Sequence, residues 1–357
     1  MIINCSSSDN EGISISKISE FGSRALYYHI EVEDDIVYFT EFDTKRFCTL
    51  NVEDPTKPIS LANYSVTDGH DFEIKENIAF LSTWEYGIEV VDISNPSNPT
   101  KIGEYISESV SHLKVVEDII YASKHNTSGS FYEIIDISDP TQPEKVKEFC
   151  EGQGAKPFLR GNLAYFCVRD LTHSQIHFRV YDINNPANPE LISEYTSSAE
   201  IYAYDIYVEN DFAYYALANN GFLILDYSDI ANPVEVHTYE NGNDIWRLYV
   251  EGDIMIVSND YAGMKILDIT NKTNPIEVAS FNDGGSSYSF VIKDRLIFVA
   301  DANDAIEILE ISGWETETAS ILLPPILITG FIITLIFRKK RKNKKSSLVS
   351  YSSYMNF

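Results

Sequence analysis

Seven positions about forty residues apart carry side chains able to do chemistry: His29, Asp71, His112, Lys156, Asp205, Arg247 and Ser289. The residue before each is Tyr28, His70, Ser111, Ala155, Tyr204, Trp246 or Tyr288, a column rich in rings. Each pair stands at the entrance to an apolar run, where a core-facing position would be Val or Ile. Mixed charge beside aromatic faces suits a polar ligand such as a sugar, a peptide end or a metal. The expected contact set is therefore His29, His70, Asp71, His112, Lys156, Tyr204, Asp205, Trp246, Arg247, Tyr288 and Ser289. His29, His70, Asp71, His112 and Asp205 offer the imidazole and carboxylate groups that hold zinc or calcium. No metal-ligand motif singles them out, so no cofactor is expected, with a bound calcium or other divalent cation as the open alternative. The plainer reading of the ring is a water-filled channel lined by mutually satisfied polar groups. No Gly-rich phosphate loop, His-Glu-x-x-His, Gly-x-Ser-x-Gly or Cys-x-x-Cys occurs, so no catalytic residue is assigned.

The elements that must position this column are read from a repeat. "VVDISNPSNPTKIGEY" (Val90 to Tyr105) returns as "IIDISDPTQPEKVKEF" from Ile134 and "VYDINNPANPELISEY" from Val180. An apolar run ends in Asp-Ile-Ser, whose Asp and Ser side chains start turns. Pro96 and Pro99 lack an amide hydrogen and do not suit a central strand. A second alternating run follows them. The Asp column runs Asn51, Asp92, Asp136, Asp182, Asp226, Asp268 and Glu310, at spacings of 41 to 46 residues. Between the phrases lie seven hairpin signatures, among them "IEVEDDIVYFT" from Ile30 and "LYVEGDIMIVS" from Leu248. Four strands in such a period is the size of a propeller blade. The last unit lacks its fourth strand, and "SKISEFG" (Ser16 to Gly22) supplies a matching one at the other end. The expected fold is all-β: a seven-bladed propeller over 13–312, closed by that N-terminal strand, with residues 1–12 flexible.

These units resemble LVIVD-repeat β-propeller proteins, whose hallmark is an apolar run into Asp-Ile-Ser-x-Pro-x-x-Pro. The resemblance covers nearly the whole propeller region. It implies the fold and an association with bacterial and archaeal surfaces, and it carries no catalytic signature to transfer.

The net charge of −27 argues against a nucleic-acid partner. The cations are concentrated: Arg338 to Lys345 holds seven in eight positions. Before them, "ASILLPPILITGFIITLIF" (319–337) is uncharged and, at 1.5 Å per residue, reaches roughly 28 Å, enough for a bilayer core. One transmembrane helix is expected there, after a linker at 313–318. The basic tail, 338–357, is placed in the cytoplasm by the positive-inside rule, with Arg338–Lys345 against anionic lipid. Trp314 serves either as an interfacial anchor or as a cap on the last blade. "MIINCSSSDNEG" has no charged or long apolar segment, so export is expected to rest on a signal outside the given start. Cys48 and Cys167 fall in strands and are expected buried. "SKHNTSGS" (123–130) reads as a polar loop carrying a sequon at Asn126, and Asp283 to Ser287 as a flexible inter-blade loop.

The expected function is a membrane-anchored cell-surface module that binds a protein or glycan without catalysis. The alternatives are an exported hydrolase or lyase with its site in the channel, and a tail-anchored cytosolic scaffold.

Overall fold

The computed structural model describes residues 12–314 apart from 23–24, 127–128, 171–174, 198–202, 219–220, 241 and 303–304. These lie in one unit, Met1–Trp314. Almost all of the expected flexible terminus, the linker after Trp314, the membrane span and the basic tail lie outside the described residues. Among the described residues no helix is long and apolar enough to cross a membrane.

All the described regular structure is β, arranged as seven antiparallel sheets. They form blades 1 (27–65), 2 (69–106), 3 (110–149), 4 (153–197), 5 (203–239), 6 (247–281) and 7 (286–312 with 14–21). The strand Ser14–Phe21 pairs with Ile306–Ser312, from Ser14 opposite Ser312 to Phe21 opposite Ile306. The innermost strands touch one another all the way round, and Tyr27–Glu33 of blade 1 meets Ser286–Lys293 of blade 7. The propeller is thus a closed ring, with no open edge between its first and last segments.

Each blade is too thin to hold a core of its own. Instead, a buried apolar cluster fills each interface between neighbours. Within Ile36–Glu41, Val37 and Phe39 face blade 7 while Tyr38 faces blade 2. Both faces of the middle strands are buried, so they read as continuous apolar runs. The outermost strands, such as Ile59–Ser65, face solvent and alternate with polar residues. Trp314 is buried among Ile13, Ile15 and Ile311, and caps the last blade.

The repeated phrase is a clamp between blades. Asn51, Asp92, Asp136, Asp182, Asp226 and Asp268 each accept a hydrogen bond from the backbone N–H two residues on, at 2.7–3.0 Å. The turn they form lies across the preceding blade: Thr49 donates to Pro96 O at 2.6 Å, and Ser19 to Pro55 O at 2.5 Å. At the opposite end, Gly221 has a φ of 75°, and an added Cβ would stand 1.9 Å from Tyr239 O. Gly87 fills the same place in blade 2, with Tyr105 O at 2.1 Å from its would-be Cβ. Gly221→Ala combines left-handed strain with a backbone clash and is expected to cost about 1–3 kcal/mol. Urea unfolding checks this; an unchanged midpoint would refute it.

Three expectations need correction. "SKHNTSGS" is mostly a strand pair, since Ile119–Asn126 and Gly129–Asp136 run through it and leave only 127–128 between them. Asp283 to Ser287 is tied down rather than free: Asp283 pairs with Lys17 at 2.8 Å, and Ser286 already begins a strand. Blade 4 has five strand segments, because its inner strand is split into Gln153–Gly154 and Phe158–Arg160. Pro157, lacking an amide hydrogen, sits in the break.

Candidate binding site at the channel mouth

The inner strands converge on a cavity of about 260 Å³, and all eleven residues of the expected contact set line it. The two columns are adjacent in sequence, so in a regular strand they would point to opposite faces. A register shift resolves this. The ladder slips between Tyr27 and Ile30, Gly69 and Phe72, Val110 and His112, Ala203 and Asp205, and Ser287 and Ser289. A bulge in the first strand of five blades turns both side chains inward. In blade 4 the strand break does the same for Lys156.

The floor is an ion network centred on Asp71, which is 2% exposed. Its Oδ1 lies 3.1 Å from the Lys156 ammonium and 3.3 Å from His29 Nδ1. Its Oδ2 accepts from Leu113 N at 3.1 Å and lies 3.7 Å from His112 Nδ1. One alternation further down the strands, Glu73 meets Lys156 at 2.8 Å and Lys114 at 2.7 Å. Burial alone would raise the proton affinity of Asp71; the Lys156 ammonium, with a hydrogen bond from His112, reverses it and holds the carboxyl well below its usual range. Glu73 is lowered in the same way by Lys156 and Lys114. Burial and the charge of Glu73 push Glu31 up to about 8. His29 is driven well down by burial and Lys156, and is neutral. Arg247 donates to its Nδ1 at 3.0 Å, leaving the N–H on Nε2, 3.3 Å from Glu31.

Rings form the wall. Tyr204 stacks on Trp246 at 3.9 Å between centroids, and Trp246 meets Tyr288 at 4.7 Å. Tyr288 lies parallel to Tyr28 at 6.0 Å, and Tyr28 meets His70 at 5.0 Å. His70 is within 5.4 Å of Trp84 and 5.2 Å of His112. The belt runs from blade 5 through blades 6, 7, 1 and 2 to blade 3. His70 donates from Nδ1 to Ser111 O at 2.9 Å, and burial lowers it to about 4, so its Nε2 is an acceptor at neutral pH.

Sequence reasoning considered only the first strand of each blade and so missed Trp84, Lys124, His125 and Arg169, which also line the cavity. They stand at the ends of second strands or in the turn that follows. The signal was present in the ending "SKHN" of blade 3, a longer polar run than any other second strand carries. Cys48, Cys150 and Cys167 are buried free thiols; burial raises all three. Among the described residues, three metal-type ligand atoms come within 4.8 Å of one another only at Asp301 and Glu307 of blade 7 and Asp283 in the connection leading into it. There the Lys17 ammonium already sits 2.8 Å from Asp283 and 2.9 Å from Glu307. The His and Asp side chains of the channel are spread over separate blades and do not gather in that way.

The chain is similar in structure to the crystal structure of the computationally designed Ika8 protein. The TM-score is 0.59 at 9% identity, over 82% of this chain and 99% of that one, which speaks to fold alone. No curated protein matches the sequence. A family model described as the LVIVD repeat matches residues 68–107, 131–149, 202–241 and 242–283. With the closed seven-blade ring, these four matches make the chain a carrier of LVIVD repeats, consistent with an LVIVD-repeat β-propeller family.

Proposed function

We propose that the chain is a non-catalytic cell-surface module that binds a protein or glycan at the channel mouth. In this reading the span at 319–337 anchors it, the propeller stands outside, and 338–357 is cytoplasmic. A propeller of repeats suggests an interaction module in general terms. The observation that carries the specific reading is the convergence of polar, ionisable and aromatic side chains from all seven blades on one cavity. Binding is favoured over catalysis because the buried carboxylate of the lining, Asp71, has both oxygens engaged and its proton affinity lowered. Such a group positions its neighbours and makes a weak base.

Two of the cavity's rings are tryptophans, which gives a direct readout. Soluble oligosaccharides and peptides with free carboxyl ends, titrated into the full chain, are expected to perturb the fluorescence of Trp84 and Trp246 saturably for at least one probe. Trp246→Ala should weaken that binding at least tenfold, because the stacking partner of Tyr204 is lost. Silence from both probe classes would sink the cavity reading. For the topology, protease added to intact cells should remove the propeller; full protection would refute it.

A further inference from the structure

The wall and floor of the cavity are unequally satisfied. Lys156 is matched by Asp71 and Glu73, Lys114 by Glu73, and Lys124 by Glu133 at 3.5 Å. Arg247 differs. Its Nη1 donates to His29 and, at 3.4 Å, to Ser289 Oγ, both neutral partners. Among the described residues no carboxylate lies within 4.0 Å of its guanidinium. The backbone N–H of Arg247 is held by Ser258 Oγ at 2.9 Å, which fixes the residue at the cavity edge. Beside it, the indole N–H of Trp246 is buried and has no acceptor among the described residues. Arg247 thus makes no direct ion pair, its charge reaching the Asp205 carboxylate only at longer range, in a molecule that otherwise carries a large excess of acid. A guanidinium with no direct carboxylate contact has room for one, and Arg favours such partners for its planar fork.

The rest of the lining says what should carry the carboxylate. The apolar part is dominated by aromatic rings, with Ala155, Ile176 and Ala203 among them, which suits a pyranose better than a peptide side chain. The polar part offers Ser289, Ser111, His112 and the acceptor Nε2 of His70 beside the carboxylate of Asp205, a mixture of donors and acceptors suited to hydroxyl groups. The volume, about 260 Å³, lies just under the range of small-molecule pockets, so one unit of a longer chain enters rather than a whole polymer segment.

Resting on the binding role proposed above, we infer that the cavity takes a single acidic sugar unit, with its ring against the Tyr204–Trp246–Tyr288 wall and its carboxylate on Arg247. The test titrates the full chain with an oligogalacturonate, its methyl ester, the neutral galactose oligomer and a peptide with a free carboxyl end, followed by tryptophan fluorescence. The oligogalacturonate is expected to bind at least tenfold tighter than its ester or the neutral oligomer, and Arg247→Gln should erase that preference. Because Arg247 also holds His29 and Ser289, Arg247→Gln is checked by thermal unfolding; the ester probes the same contact with the protein unaltered. Equal binding of acid and ester overturns the inference while leaving a sugar-binding cavity in place. Binding of the peptide but of no sugar overturns it in favour of a protein partner. No binding by any probe overturns both the inference and the role it rests on.

Discussion

A chain lacking Ser14–Phe21 is expected to lose its cooperative unfolding transition and to associate in solution. The reason is physical rather than topological tidiness. That strand covers the outer edge of Ile306–Ser312 with a full ladder, and removing it exposes a row of unpaired backbone groups. It also strips the interface between blades 6 and 7. Ile15 is 4% exposed and packs with Ile13, Leu309, Ile311 and Ile266. Burial of Ile15 alone is worth about 1.5–3 kcal/mol, already a sizeable part of the stability of a typical domain. Lys17 would be lost too, leaving Glu307, 1% exposed, beside Asp283 and Asp301 without its ammonium. Thermal unfolding and size-exclusion chromatography check the result. A variant that stays monomeric with an unchanged midpoint would refute the closing role. The converse change strengthens the ring. Ser16 and Glu310 are direct cross-strand partners, so cysteines at both positions can bridge. The bridge would close a loop of roughly 295 residues, an upper bound of about 5–6 kcal/mol on the chain-entropy account. Denaturation with and without reductant should separate the two forms of that variant.

That closure was legible in the sequence because it is arithmetic: one strand is missing after Ser312 and a matching one stands at Ser16. The blades were legible because turn chemistry is local, with Asp92 and its counterparts each satisfying an amide two residues away. The cavity was half legible. Polar residues at a position that should be apolar betray a column, but whether Tyr28 and His29 can both face inward depends on a bulge set by tertiary packing. Lys124 and Arg169 were missed for a related reason. They enter the cavity from second strands, and the height of those strands above the ring is fixed by neighbouring blades. The tie between Lys17 and Asp283 was hidden as well, since it joins residues from the two ends of the propeller. Composition made Asp283 to Ser287 look mobile; an ion pair and a strand start hold it.

Lys156→Met is expected to be the most destabilising single substitution in the channel. The residue is 7% exposed and its ammonium stands between Asp71 and Glu73, at 3.1 and 2.8 Å. Methionine fills similar space but leaves two buried carboxylates facing each other, with Lys114 reaching only Glu73. Breaking a buried pair in this way costs about 3–5 kcal/mol. The pH dependence gives the prediction its signature. In the native protein Asp71 and Glu73 have lowered proton affinities, so they contribute stability above the unfolded carboxylate range and lose it as pH falls through their folded values. Glu31, raised to about 8, has the opposite slope: it keeps a proton in the fold that the unfolded chain releases, so its contribution falls between about pH 4.5 and 8. Without Lys156, Asp71 and Glu73 join Glu31 in binding protons more tightly when folded. The stability gap between native and variant should therefore be widest at pH 7–8 and shrink toward pH 4–5, where the unpartnered carboxylates are neutralised. Adding Asp71→Asn to Lys156→Met removes the carboxylate charge left without any ammonium and should recover part of the loss at pH 8 but little at pH 4.5. Chemical denaturation across that range measures both. A gap that stays constant with pH would mean that Lys156 holds the channel by packing, and that the charge network around Asp71 does not stabilise the ring.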